Sequence, residues 1–137
     1  MTFDIINPES LGAPKGWSHG MLAPAGGGGG GRLLFVAGQD AADASGVVAE
    51  SGFVEQFSRV LEKILTVVRE SGGGPEDIGR LTIFVSDIEA YLDSRKPLGE
   101  AYRRLMGRHY PAMALVEVKR LMDPNALVEI EATAVIS

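Results

Sequence analysis

The stretch "ALVEIEATAVI" at 126 to 136 constrains the fold more than any other part of the chain. Successive strand side chains point to opposite faces. One parity carries Val128, Ile130, Ala132, Ala134 and Ile136, an unbroken apolar row suited to packing against helices. The other carries Leu127, Glu129, Glu131, Thr133 and Val135, too polar for a core and too apolar for a fully solvated face. Such a strand belongs in a sheet with helices on one side. On its other side a subunit interface or a ligand pocket fits the mixed row, and glutamates facing water on an open sheet are the alternative.

The helices are legible from period. Phe53, Phe57, Val60, Leu61, Ile64, Leu65 and Val68 recur at helical spacing, and "SGGGP" at 71 to 75 ends the run, which predicts one amphipathic helix over 53–70. "SRKPLGEAYRRLMG" at 94 to 107 predicts a second, with Leu98, Ala101, Tyr102, Leu105 and Met106 on one face, Pro97 near its start and Gly107 at its end. Strands are expected at 3–6, 16–22, 32–38, 80–87, 113–119 and 126–136. The order is β-β-β-α-β-α-β-β: one α+β domain over residues 1–137, with two helices packed on one face of a mixed sheet. In the strand at 113–119, Ala114, Val116 and Val118 are expected to face the helices, with Met113, Leu115, Glu117 and Lys119 on the mixed face.

Composition removes several function classes. The chain has no cysteine, which excludes disulfides, thiolate nucleophiles and Cys-ligated zinc. A net charge of -5 and a basic stretch confined to a helix end, "RRLMGRH", argue against nucleic acid as a partner. No apolar run approaches the roughly 18 residues of a membrane span, and "MTFDIINPES" carries no secretory pattern, so a cytoplasmic protein is expected. Six glycines at 26 to 31 lack the Gly-Lys-Ser/Thr of a phosphate loop, since Arg32 opens "RLLFVAG". A flexible hairpin loop is expected there.

"FVAGQDA" at 35 to 41, "RLTIFVSDIEAY" at 80 to 91, "HYPAMALVEVKRL" at 109 to 121 and "LVEIEATAV" at 127 to 135 resemble the Rid or YjgF family, reactive-intermediate deaminases also labelled L-PSP endoribonucleases. The resemblance runs from the "INP" at residue 6 to the last strand. It implies a chorismate-mutase-like fold and a homotrimer whose sheets close a central barrel, with small-molecule pockets in the clefts between neighbours. It also implies hydrolysis of imines and enamines such as 2-aminoacrylate, giving a 2-keto acid and ammonia, with no metal and no organic cofactor.

The resemblance further implies roles for individual residues. Glu129 corresponds to the glutamate that places the attacking water. Trp17 of "GWSHG" stands where tyrosine is usual and walls the pocket, and Gly38 and Gln39 of "AGQ" line its floor. The arginine that grips the substrate carboxylate belongs after "PA", where this chain has Met113. Charge-assisted hydrogen bonds of that kind are worth about 1.5–3 kcal/mol each. A thioether supplies none and offers an apolar wall instead. Leu115, on the same strand face, makes the pocket greasier. Weak or absent 2-aminoacrylate deamination is therefore expected, with a neutral or apolar substrate.

Other readings of these residues stay open. Lys119 lies too far along its strand to replace the arginine, about 20 Å at strand rise, and Arg32, Arg80 and Arg120 read as rim charges. His19 shares parity with Trp17 in the strand expected at 16–22, and is either a general acid or base or a hydrogen-bonded structural residue. Glu129 is either a base or a carboxylate accepting hydrogen bonds across an interface, and Trp17 is either a pocket wall or a packed aromatic. Two function classes remain: a hydrolase of carbon–nitrogen compounds, and a non-catalytic small-molecule-binding or protein-interaction module. Ribonuclease activity is a weaker third, for want of a basic groove.

Overall fold

The structure is a computed structural model that describes residues 2–25 and 30–137. The strands are β1 (Asp4–Ile6), β2 (Gly20–Leu22), β3 (Arg32–Gln39), β4 (Ile78–Val85), β5 (Ala112–Glu117) and β6 (Val128–Ile136); the helices are α1 (Phe53–Glu70), α2 (Ile88–Asp93) and α3 (Arg95–Met106). The strands form one six-stranded sheet in the order β1-β2-β3-β6-β4-β5. Among the described residues only the β4–β5 ladder is parallel, so the sheet is mixed. A parallel pair requires a crossover, which α2 and α3 supply.

The row predicted to face the helices does so: Val128, Ile130, Ala132, Ala134 and Ile136 are all buried. Against them α1 lays Val60, Leu61, Ile64 and Leu65, each at 0% exposure, and α3 adds Leu98, Tyr102 and Met106 to the same core. The helix predicted over 53–70 has those limits. It closes where the Gly73 N–H donates to the Val68 carbonyl at 3.0 Å and Gly72 takes φ 95°, a left-handed turn that costs glycine little. Among the described residues no helix is long and apolar enough to cross a membrane.

Three local expectations are corrected. An additional short helix, α2, follows β4, and its first turn is held by the Asp87 carboxylate, which accepts from the Glu89 N–H at 3.0 Å. At six residues it is too short to show a period. Second, β2 begins only at Gly20, so Trp17 and His19 lie in the approach to the strand rather than in it, and no strand parity relates them. Gly16 at φ 81° turns the chain there, and the His19 N–H donates to the Asn7 side chain at 2.9 Å instead of to a neighbouring strand.

The third correction concerns β5, whose faces are the reverse of those expected. Its parallel register pairs Met113 with Leu81, Leu115 with Ile83 and Glu117 with Val85, and Leu81, Ile83 and Val85 are core residues on the helix side. Met113, Leu115 and Glu117 therefore point toward the helices, and Ala114 and Val116 point away. Glu117 and Lys119 make the Met113 parity look like the outer face, but Lys119 lies beyond the strand. The Glu117 carboxylate accepts from the Ile88 N–H at 2.9 Å at the start of α2, and the neighbouring strand sets the register. Val118 and Lys119 lie beyond its end. Of the hairpin loop expected at 26–31, residues 26–29 lie outside the described residues.

Away from the helices the sheet carries an apolar band. Ile5, Met21, Phe35 and Thr133 stand in register across four strands, Leu33 pairs with Val135, and Phe84 pairs with Val116. Phe35 is 45% exposed and Val135 51%.

Candidate functional site

Five of the residues singled out by the sequence surround one cavity of about 610 Å³: Trp17, His19, Gly38, Gln39 and Glu129. Glu129 enters from β6, in register with Phe84 and beside an irregularity in the β3–β6 ladder between Val36 and Gln39. Its carboxylate lies directly over the Gly38 backbone: a Cβ at Gly38 would stand 2.7 Å from Glu129 Oε2. Glycine at 38 thus lets the carboxylate approach the main chain.

The Glu129 carboxyl is held above the usual carboxylate range, chiefly by burial and secondarily by the negative charges of Asp40 and Glu131. Lys63, reaching the cavity from α1, opposes that shift. The Lys63 ammonium donates to the carbonyls of Asp40 at 2.8 Å and Ala42 at 2.9 Å, which ties the loop after β3 to α1. Burial lowers the Lys63 pKa. Asp40 and Lys63 escaped the sequence reading. Asp40 directly follows the quoted "AGQ", but Lys63 sits at the edge of an apolar helical stripe, where lysine normally carries its charge into water.

His19 and Gln39 form a buried bracket under the cavity, each 2% exposed. The Gln39 amide donates to His19 Nδ1 at 3.1 Å and to the Ala37 carbonyl at 3.2 Å. With Nδ1 accepting, the other ring nitrogen carries the proton and donates to the Gly12 carbonyl at 3.1 Å. Both ring nitrogens are engaged, so this histidine positions its neighbours. The Trp17 ring meets it edge to face, with centroids 4.7 Å apart, and is itself half exposed at the cavity wall.

Met113 and Leu115 are not brought to this cavity. They form the floor of another, of about 450 Å³, between β5 and α3 on the helix side, with Phe57, Ile83, Leu98 and Tyr102 as its apolar walls. Tyr110 stacks on Tyr102 with ring centroids 5.2 Å apart and planes within 12°. Arg95 and Arg103 stand at its α3 side and were not anticipated from the sequence. Among the described residues no group of three or more His, Asp or Glu is placed to hold a metal ion.

One half of this arrangement can handle protons and water. A partly buried carboxylate with a raised pKa, beside exposed main chain and an aromatic wall, can hold a water molecule, take a proton from it and return it. The other half can hold an apolar group.

The model of the family described as Endoribonuclease L-PSP matches residues 12–136. A RutC family protein of Pyrococcus abyssi is 32% identical over 103 residues, covering 74% of this chain and 77% of the relative. A RutC family protein of Synechocystis is 30% identical and covers 99% of this chain and 98% of its own. A protein of Capra hircus named 2-iminobutanoate/2-iminopropanoate deaminase is 28% identical, covering 76% and 73% of the two chains. Among solved structures, the YjgF gene product of E. coli superposes with TM-score 0.79 at 26% identity, over 96% of this chain and 98% of that one. E. coli TdcF with bound serine does so with TM-score 0.76 at 27% identity, over 98% and 99%.

Proposed function

Because the chain belongs to the Endoribonuclease L-PSP family, also called Rid or YjgF, we propose that it hydrolyses an imine, an enamine or a related carbon–nitrogen compound without a cofactor. The observation that carries this reading is Glu129: a carboxylate of raised pKa, over the Gly38 main chain, in a cavity walled by Trp17. In the proposed reaction Glu129 takes a proton from water as its oxygen adds to the C=N carbon. Glu129 returns that proton to the nitrogen to give a carbinolamine. The carbinolamine hydroxyl then yields its own proton through Glu129 to the amine nitrogen as the C–N bond breaks, so that a carbonyl compound and ammonia leave. The goat relative named as an iminobutanoate and iminopropanoate deaminase supports this class of chemistry.

The substrate is one with an apolar body, and 2-aminoacrylate is a poor one. Met113 stands where the resemblance expects the carboxylate-binding arginine, and a methionine floor gives a compact imino acid nothing to hold. The working site lies in the clefts of a homotrimer. Two features support that assembly: the exposed apolar band over Phe35 and Val135, which a second copy would cover, and the division of the candidate residues between the two sides of one chain's sheet.

A second reading, a non-catalytic small-molecule-binding or protein-interaction module of the same fold, is favoured by the state of the polar groups. His19 has both ring nitrogens engaged, and the ammonium of Lys63 already donates to two carbonyls. Ammonia release from imines generated in place separates the two: the hydrolase loses turnover on Glu129→Gln with its fold intact, whereas the binder shows no turnover to lose.

A further inference from the structure

The α3 helix carries Arg95, Gly99 and Arg103 at i, i+4 and i+8, which is one row of the helix surface. That row borders the cavity floored by Met113 and Leu115, and all three residues line it. Gly99 makes a notch in the row. A Cβ there would lie 3.3 Å from Arg103 Nη1, so the guanidinium of Arg103 is folded back across the glycine. Arg95 is tethered from the other end, its Nε donating to the Leu92 carbonyl at 3.1 Å, which leaves its terminal nitrogens free. Among the described residues neither arginine takes part in an ion pair, and no carboxylate lines the cavity. Two unopposed guanidiniums thus flank a notch above an otherwise apolar and aromatic chamber.

We infer that Arg95 and Arg103 form an anion anchor for a small carboxylate ligand whose aromatic or branched apolar body fills the chamber over Met113 and Leu115. Guanidinium is suited to this, because its planar fork matches a carboxylate bidentately. The floor of Met113 and Leu115 and the stacked Tyr102–Tyr110 pair receive the body. The anchor stands on the helix wall and the floor on the strand, so a ligand that uses both carries its carboxylate at one end and its apolar body at the other. The inference rests on the proposed hydrolase only for its consequence: the imine taken would be a bulky 2-imino acid. The binding site stands without it.

Isothermal titration of the full chain with phenylacetate, its neutral isostere phenylacetamide, and acetate tests the anchor, against Arg95→Ala, Arg103→Ala, the double variant, and Lys96→Ala as a control for nearby exposed charge. Phenylacetate is expected to bind at least tenfold more tightly than phenylacetamide and acetate. The double variant abolishes the preference for the acid over the amide, and Lys96→Ala keeps it. Equal affinity for acid and amide overturns the anchor, as does an undiminished preference in the double variant, an equal loss in Lys96→Ala, or no phenylacetate binding at all. The two readings fail separately. Arginine-dependent binding without imine turnover removes the hydrolase alone, and imine turnover unchanged by the double substitution removes the anchor alone.

Discussion

Met113 and Glu129 leave the sheet on opposite sides: Met113 is in register with Leu81, a core residue on the helix side, and Glu129 with Phe84, one parity out. Within a single chain no compact ligand reaches both. A site using both therefore needs a second copy of the chain.

That requirement predicts the behaviour of a monomer. Phe35 sits in the middle of the exposed apolar band, so Phe35→Lys should disfavour covering of that face while leaving the core untouched. Sedimentation should give a three-chain mass for the wild type and a single-chain mass for the variant, whose circular dichroism stays native. Turnover should fall at least tenfold. A monomeric variant with wild-type turnover would place the whole site in one chain.

Gly38→Ala should disturb the site without disturbing the fold. The added Cβ meets the end of the Glu129 side chain at 2.7 Å, so the carboxylate has to move. Displacement of a catalytic group by about 1 Å costs on the order of 10²-fold. A drop of that size in kcat/KM is expected, with Tm within a few degrees of wild type; an unchanged rate would show that the position of Glu129 over residue 38 is immaterial.

Glu129 also predicts a pH profile. If its carboxylate is the base, kcat/KM falls as pH drops through a value above the usual carboxylate range, because burial raises that pKa. The same shift has a sign in stability. A carboxyl whose folded pKa lies above its unfolded one favours folding when protonated, below the unfolded value, and loses that advantage as pH rises through the folded value. At pH 7 the charge thus opposes folding, and Glu129→Gln should raise Tm while removing turnover. A lower Tm at pH 7 would mean that the carboxylate is held by contacts stronger than its burial cost.

Tyr102 predicts an alkaline effect. Burial, with a smaller contribution from Tyr110, pushes its phenol from 10.0 up to about 12. The unfolded chain therefore releases this proton first, and stability falls as pH rises from about 10 to about 12. At neutral pH, Tyr102→Phe should cost about 1–2 kcal/mol, because the hydroxyl donates to the His109 carbonyl at 2.6 Å. Denaturant titrations at pH 8 and 11.5 should show that cost shrink or invert at the higher pH, and a constant difference would contradict the shift.

Much of the fold was legible because period is a direct consequence of burial. The alternation of Val128 to Ile136 and the helical spacing from Phe53 to Val68 each report one buried face, and both emerge as read. Glu129, Gly38, Gln39, Trp17 and His19 do share a cavity. What failed to show was set by relations between segments. In β5 the charge of Glu117 marks the wrong face as the outer one, and only pairing with β4 places Met113 toward the helices. Lys63, Arg95 and Arg103 look like solvated helix charges in one dimension, and only the packing of α1 and α3 turns them toward cavities.

The proposed chemistry is hydrolysis of carbon–nitrogen compounds, with Met113 turning the site away from compact imino acids. Its most direct test is ammonia release from 2-aminoacrylate, generated from serine by a threonine dehydratase, and from bulky imines generated by an amino-acid oxidase, with wild type, Met113→Arg and Glu129→Gln side by side. Wild type should hydrolyse the bulky imines and leave 2-aminoacrylate near its uncatalysed rate, Met113→Arg should gain activity on 2-aminoacrylate, and Glu129→Gln should do neither. Rapid 2-aminoacrylate hydrolysis by the wild type, unimproved by Met113→Arg, would rule out a specificity role for Met113.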